Sequence, residues 1–202
     1  TGGIRYDVLN RIVGTISPDP DGSGPIGYSA VRNTYDASGR LIKVETGELT
    51  SWQSEAVAPS SWTGFTLLST VETSYDAMGR KLKDVMKGSD GNPVTVTQYS
   101  YDAVGRLDCS TVRLNPSIWS SLPASACTLG TEGSQGPDRI TRNNYDAAGR
   151  LLKMQKAYGT TIQQDYVTYT YTNNGKQASV RDANGNLASL TYDGHDRLVQ
   201  WN

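Results

Sequence analysis

Short runs in which apolar or aromatic residues alternate with hydroxyl residues recur along the chain, and clusters of Gly, Asp, Asn and Pro interrupt them at close intervals. Val167, Tyr169 and Tyr171 alternate with Thr168 and Thr170, and Val94-Thr95-Val96-Thr97 alternates just ahead of Tyr99 and Tyr101. A period of two places one set of side chains on each face of a strand. Beyond the interruptions lie further short runs, Leu41-Ile42-Lys43-Val44, Leu82-Lys83-Asp84-Val85 and Leu151-Leu152-Lys153-Met154, which would carry each hairpin back. No segment sustains helical periodicity over three turns. The pattern predicts an all-β fold of tandem antiparallel β-hairpins.

The interruptions are themselves repeated. Tyr-Asp-Ala-x-Gly-Arg occurs at Tyr35 to Arg40, Tyr75 to Arg80, Tyr101 to Arg106 and Tyr145 to Arg150, which is too many fixed positions for coincidence. Degenerate copies begin at Tyr6, Tyr171, Arg181 and Tyr192, so the motif spans the chain. Successive copies start 29, 40, 26, 44, 26, 10 and 11 residues apart. Intervals near 26 hold one hairpin plus a connecting turn such as Gly88-Ser89-Asp90-Gly91-Asn92-Pro93, and the last two predict tightly wound hairpins near the C-terminal end.

Each motif position has a physical reason to recur in a hairpin turn. Asp36, Asp76, Asp102 and Asp146 would accept hydrogen bonds from backbone amides just ahead, while Gly39, Gly79, Gly105 and Gly149 would supply the φ > 0 residue of a type I turn with a bulge. Asn10 stands at the Gly position of the first copy and tolerates that conformation next best. Tyr35, Tyr75, Tyr101 and Tyr145 then end incoming strands, and Arg40, Arg80, Arg106 and Arg150 open outgoing ones.

The two long intervals read as insertions at about 47–70 and 109–139 in a single array covering 1–202. The first carries Trp52, Trp62 and Phe65; the second carries Trp119, Cys109 and Cys127. Trp in a Ser/Pro-rich loop anchors it to a scaffold, and the rival reading makes Trp52, Trp62 and Trp119 a ligand surface for sugars or protein. Cys109 and Cys127 are a candidate disulfide, against the alternative of two small buried thiols.

Composition narrows the partners. Twelve Tyr and four Trp against one Phe mean that most large side chains have a polar tip, which suits a thin or wet core. A net charge of −1 gives no electrostatic footprint for nucleic acid or an anionic membrane. No apolar run approaches the roughly 18 residues of a spanning helix. The opening Thr1-Gly2-Gly3-Ile4-Arg5 is not a signal peptide, and with no initial Met and an end at Trp201-Asn202 just after a turn motif, the chain reads as a fragment of a longer protein.

Candidate chemistry is sparse. Nucleophilic catalysis needs a base, and the one histidine, His195, lies inside a degenerate turn, where it reads as solvent-facing. The aspartates Asp7, Asp36, Asp76, Asp102, Asp146 and Asp193 have a turn-capping role that explains their spacing without glycosidase chemistry. Asp19-Pro20-Asp21-Gly22-Ser23-Gly24 faintly resembles a calcium loop, but Ala30 occupies the position of the bidentate Glu. Two cysteines and one histidine are too few for an ordinary structural zinc site, and no phosphate-cradling glycine loop is present. Arg40, Arg80, Arg106, Arg150 and Arg197 would form either a structural set bonded to turn carbonyls and neighbouring Asp, or a basic row for acidic glycans. The expectation is no enzyme, no cofactor and no metal.

In its tandem Tyr-Asp-Ala-x-Gly-Arg-Leu motif the chain resembles the bacterial Rhs family, whose YD repeats recur in Tc-toxin cocoon subunits and animal teneurins. That resemblance implies hairpins wound into a spiral sheet, shell or solenoid, often enclosing a toxic C-terminal domain, with the repeat as packaging and chemistry elsewhere. It also implies a secreted or cell-surface setting. Such shells usually end in a core with Asp-Pro-x-Gly-Leu, where aspartates drive self-cleavage; here Asp19-Pro20 is followed by Asp21-Gly22 far from such a place, so that activity is not carried over. The expected role is a structural segment of a large Rhs-like protein, with flanking repeats, an enclosed toxin or further copies as partners. A surface-glycan adhesion module and a self-assembling filament segment are the alternatives.

Overall fold

A computed structural model describes residues 2–22 and 24–202; Thr1, at the start of the N-terminal reading, and Ser23, within the calcium-loop reading, lie outside the described residues. The chain divides into two compact units, Thr1–Val96 and Thr97–Asn202. The first holds β1 (Gly3–Tyr6), β2 (Ile12–Ile16), β3 (Tyr28–Tyr35), β4 (Leu41–Leu49), β5 (Phe65–Tyr75) and β6 (Lys81–Lys87). Strand β7 (Pro93–Tyr101) runs through the boundary. The second unit holds β8 (Leu107–Arg113), β9 (Arg139–Tyr145), β10 (Leu151–Lys156), β11 (Gln164–Tyr171), β12 (Gln177–Asp182), β13 (Leu187–Tyr192) and β14 (Leu198–Trp201). Among the described residues the only helical pieces are single 3-10 turns at Pro59–Ser61 and Pro116–Ile118. The fold is all-β, and within each unit every strand pairs antiparallel with its neighbour in the chain.

Register shows how alternation becomes two faces. Asn33 pairs with Val44, Val44 with Val71 and Val71 with Met86, forming one row across β3 to β6. One residue away, Arg32, Glu45, Thr70 and Lys87 form the row on the opposite face. A one-residue slip would exchange these sets, so both faces hold the register.

Within each motif turn the register shifts by one residue, as between Thr34 and Tyr35. The Asp36 amide donates to the Arg40 carbonyl at 2.9 Å and the Gly39 amide to the Asp36 carbonyl at 2.9 Å, which is the type I turn closed by a bulge. Gly39 takes φ +80°, a value that costs an L side chain strain. Asn10 and Asp196 take the same left-handed position in the first and last copies at φ 61° and 60°.

The short spacing near the C-terminal end marks consecutive tight hairpins, as the sequence predicts. The turn at Asp182 to Asn186 joins β12 to β13 and lies at the strand ends opposite those carrying the Thr172 to Lys176 and Asp193 to Arg197 turns. The intervals of 10 and 11 residues are therefore the two halves of one hairpin cycle. The Asp182 sequence matches because both ends of a hairpin array require the same turn chemistry.

The long loops supply the cores. Residues 50–64 and 114–138 lie outside the strands, within the broader intervals 47–70 and 109–139. In the first unit Trp62 joins Ile16, Ala30 and Leu49 in a buried cluster flanked by Tyr28, Val57 and Phe65. In the second, Cys109, Ala126 and Ile140 form a cluster with Cys127, Leu129 and Tyr158 against it. A twisted sheet with one bare face buries little, and each loop folds back to cover part of it.

Replacing Gly39 by Ala is expected to lower stability by about 1 kcal/mol, with Asn at the same position costing less. Urea unfolding followed by circular dichroism measures both.

Candidate functional site

The recurrent motif residues assemble into one arrangement that is built again at successive turns. In Asp36, Oδ1 accepts from the amides of Ser38 and Arg40, each at 2.9 Å, and Oδ2 accepts from Arg40 Nε at 2.7 Å. Asp7, Asp76, Asp102, Asp146 and Asp193 hold their own arginines in the same way, with Nε to Oδ2 distances of 2.6–2.7 Å. Thr172 substitutes its hydroxyl, which accepts from the Lys176 amide at 3.1 Å. Charge-assisted bonds to a carboxylate on a short loop fix the turn and aim the guanidinium along the array.

The remaining arginine face reaches the following hairpin. Arg11 lies over the Tyr35 ring at 4.5 Å, Arg40 over Tyr75 at 5.0 Å, Arg106 over Tyr145 at 4.5 Å and Arg150 over Tyr171 at 4.7 Å. The Nη1 groups of Arg40 and Arg106 also donate to the next turn's backbone, at the carbonyls of Asp76 and Asp146, each at 3.2 Å. In return each tyrosine hydroxyl donates to the carbonyl just after the preceding arginine. Tyr35 bonds Ile12 at 2.8 Å, Tyr75 bonds Leu41 at 2.9 Å, Tyr145 bonds Leu107 at 3.0 Å and Tyr171 bonds Leu151 at 2.7 Å. Tyr192 does the same to Gln177 at 2.8 Å, where Lys176 stands in the arginine position. Tyr101 also has interactions, as does Arg80 beyond its bond to Asp76.

The turn carboxylates are anchored as anions. The amide of the arginine four residues on is the largest influence holding Asp7, Asp36, Asp76, Asp146 and Asp193 below the usual carboxylate range, with the guanidinium adding to it. At Asp102 desolvation is the largest influence and pulls upward, but the Arg106 amide and guanidinium together outweigh it. A general acid would require the opposite displacement. His195 is exposed on its turn, and its amide donates to Asp193.

The insertion residues divide by burial. Trp62 is 5% exposed, its ring packed over Gly14, where an added Cβ would lie 2.7 Å from the indole. Trp119 is half-buried and donates its Nε1 hydrogen to the Arg113 carbonyl at 3.0 Å. Trp52 is 38% exposed, packs edge-on against Tyr28 and lies beneath the Arg5 guanidinium at 5.7 Å. Trp62 is therefore sealed in the first unit's core, while Trp52 and Trp119 keep part of their rings open, each in its own unit.

Beneath the second insertion lies a polar network that strand patterning does not announce. Arg113 is fully buried; its Nη1 bonds Asp138 at 2.6 Å and the Thr128 carbonyl at 2.8 Å, and its Nη2 bonds Gln98 at 2.6 Å and the Ser125 carbonyl at 3.0 Å. Asp138 also accepts from the amides of Leu114 and Gly130 at 3.0 and 2.8 Å. Burial pulls its pKa upward, yet Arg113 and the two amides outweigh that and keep it low. The one available signal was position, since Arg113 continues the inward row of Cys109 and Thr111. Cys109 and Cys127 are joined, with Cα atoms 5.3 Å apart, fastening the same loop. Asp108 lies beside this disulfide, but bonded sulfurs are not thiolate ligands, so the trio is no ordinary metal site.

In the first unit a hollow of 660 Å³ is lined by Arg5, Arg11, Arg32, Tyr35, Glu45 and the 55–60 stretch of the insertion, among others. Arg11 is engaged by Asp7 and Arg32 by Glu45. Arg5 bonds the Gln53 carbonyl at 2.8 Å, while its Nε is buried without a hydrogen-bond partner.

Two outcomes follow from these geometries. Because the turn aspartates have depressed folded-state pKa values, they contribute stability above their unfolded value of about 3.9, and this contribution is lost as pH falls through the lower folded value. Urea midpoints should stay level from neutrality to about pH 5 and fall below about pH 4, and Asp76→Asn should make that fall shallower. Arg113→Leu should destabilise the second unit by about 3–5 kcal/mol by stranding the Asp138 charge, and adding Asp138→Asn should restore part of the loss in the same unfolding measurement.

No protein-family model and no curated protein matches the chain. Similarity to solved structures extends over 99% of it: to "TcdB2-TccC3-Cdc42" at 17% identity and a TM-score of 0.39, to "TcdB2-TccC3-TEV" at 14% and 0.40, and to "TcdB2-TccC3 without hypervariable C-terminal region" at 15% and 0.40. The chain spans 12% of the length of each of those chains.

Proposed function

We propose that this chain is a non-catalytic structural segment of a large Rhs-like protein, secreted or carried at the cell surface, and that its hairpins form part of a β-shell able to enclose a C-terminal toxin. The observation that carries the structural reading is the use made of the recurrent polar groups. The carboxylates of Asp7, Asp36, Asp76, Asp102, Asp146 and Asp193 each engage their own arginine and backbone amides, and tyrosine hydroxyls bond the preceding hairpin. Groups that would resemble a row of active sites in the sequence serve instead as fasteners between repeats. The tandem YD motif, which extends from Tyr6 to Arg197, supports the shell reading in particular. The described residues contain no helix long and apolar enough to cross a membrane.

Trp52 favours a second reading, because it is the one insertion tryptophan with a substantially open ring. An adhesion module would use that face for a sugar, with Arg5 beside it. A glycan array and a panel of glycoside, ester and phosphate substrates separate the two. The structural reading predicts no retention and no turnover above buffer. Glycan retention abolished by Trp52→Ala would establish adhesion in its place, and turnover surviving repurification would overturn the non-catalytic assignment.

A further inference from the structure

A cleft of 550 Å³ lies along β8, β9 and β10 of the second unit. All of its described walls come from residues 112–162, so it sits inside the run of paired strands and owes nothing to β1 or β14. Register sets its chemistry. Val112 pairs with Arg139 and Ser110 with Thr141, which places Val112, Arg139 and Thr141 on the face opposite the buried Thr111 and Ile140. Lys156 follows the buried Gln155 and joins that face, its Nζ donating to Thr141 Oγ1 at 3.0 Å. Arg139 and Lys156 are therefore diagonal neighbours, roughly 7–8 Å apart at the backbone, and two such long side chains reach one anion. Leu114, Pro137 and Ile162 extend the apolar wall begun by Val112.

The charges lining the cleft do not balance. Asp138 is the one carboxylate among its described lining residues, and Arg113 with the amides of Leu114 and Gly130 already occupies it. The ion pairs of the second unit's described residues include neither Arg139 nor Lys156. The other neighbour of Lys156 is the neutral ring of Tyr166, 5.6 Å from its Nζ. The wall beyond β10 is held in place. Ala157 takes φ 50°, which an L side chain rarely adopts, and its carbonyl accepts from the Thr160 amide and hydroxyl at 3.2 and 2.8 Å. The Tyr158 amide bonds the Ile140 carbonyl at 3.1 Å, which fastens this turn to β9. A cleft already formed spends little binding energy on ordering itself.

We propose that this cleft binds a small amphipathic carboxylate, its head held between Arg139 and Lys156 and its apolar chain lying along Val112, Leu114, Pro137 and Ile162. Arginine offers a planar carboxylate two parallel N–H donors, and lysine adds a compact charge on the other side. The volume is that of a small-molecule site, with a mostly apolar wall and few polar groups to fix orientation. A wholly apolar ligand would leave both cations without a counter-ion, and a small inorganic anion would leave the wall uncovered.

The test titrates octanoate into the full-length, isotope-labelled chain and follows backbone amide resonances, with octanol and acetate as controls. Octanoate is expected to shift Val112, Thr141 and Thr160 saturably, octanol to bind about tenfold more weakly, and acetate to shift nothing over the same range. Arg139→Ala combined with Lys156→Ala, both at exposed positions, should lower octanoate affinity about tenfold and leave octanol binding unchanged. Dispersed amide resonances show that the variant is folded; if they collapse, Lys156→Gln alone carries the test, with a loss of about threefold. Ile162→Asp should weaken octanoate and octanol together. Absence of a saturable shift, equal affinity for octanoate and octanol, an affinity unmoved by removing the charges, or shifts confined to other residues would overturn the site. None of these outcomes bears on the structural reading.

Discussion

The junction between one turn and the next is the interaction on which the array depends. A hairpin on its own is marginal in water. Here the arginine of one turn is fixed by its own aspartate, covers the following tyrosine and, at Arg40 and Arg106, bonds the next turn's backbone. The tyrosine hydroxyl returns a bond to the strand just after that arginine. The arginine guanidinium is thereby used twice, once to close its own turn and once to join it to the next, and so are the Asp76 and Asp146 carbonyls, which accept from their own turn's glycine amide and from the preceding arginine. This explains why the motif recurs as a block: losing Asp frees the arginine, and losing the tyrosine exposes it.

The junction orders the rim of the sheet, but it buries little apolar surface. Buried hydrophobic side chains are concentrated where the insertions fold back, around Trp62 in the first unit and around the Cys109–Cys127 disulfide in the second. The two loops solve the same problem by different means. The first uses Pro59 and Trp62 seated on Gly14, where any side chain would collide. The second uses the covalent link and the buried Arg113–Asp138 pair, whose full set of partners offsets the desolvation of two charges.

Much of this was legible in the sequence. Period-two alternation and the Asp-to-Gly turn chemistry define the strands and the bulged turns at Asp36, Asp76, Asp102 and Asp146, because both are local effects. The Asp182 copy was legible as a turn for the same reason, though local chemistry says nothing about which end of the strands it occupies. The arginine-to-tyrosine contact was hidden because its partners are 21 to 39 residues apart and meet only once register is established. Arg113 was hidden more deeply. A charged residue in a strand normally reads as solvent-facing, and only the fold of a distant loop supplies Ser125, Thr128 and Asp138 to bury it.

The central claim is that adjacent hairpins are energetically joined by arginine and tyrosine acting together. A double-mutant cycle on Arg106→Ala and Tyr145→Leu, read from urea unfolding of the full chain, measures that joint contribution. The account predicts that the second substitution costs less once the first is present, with a coupling of about 1 kcal/mol. Costs that simply add, with no coupling beyond error, would contradict it.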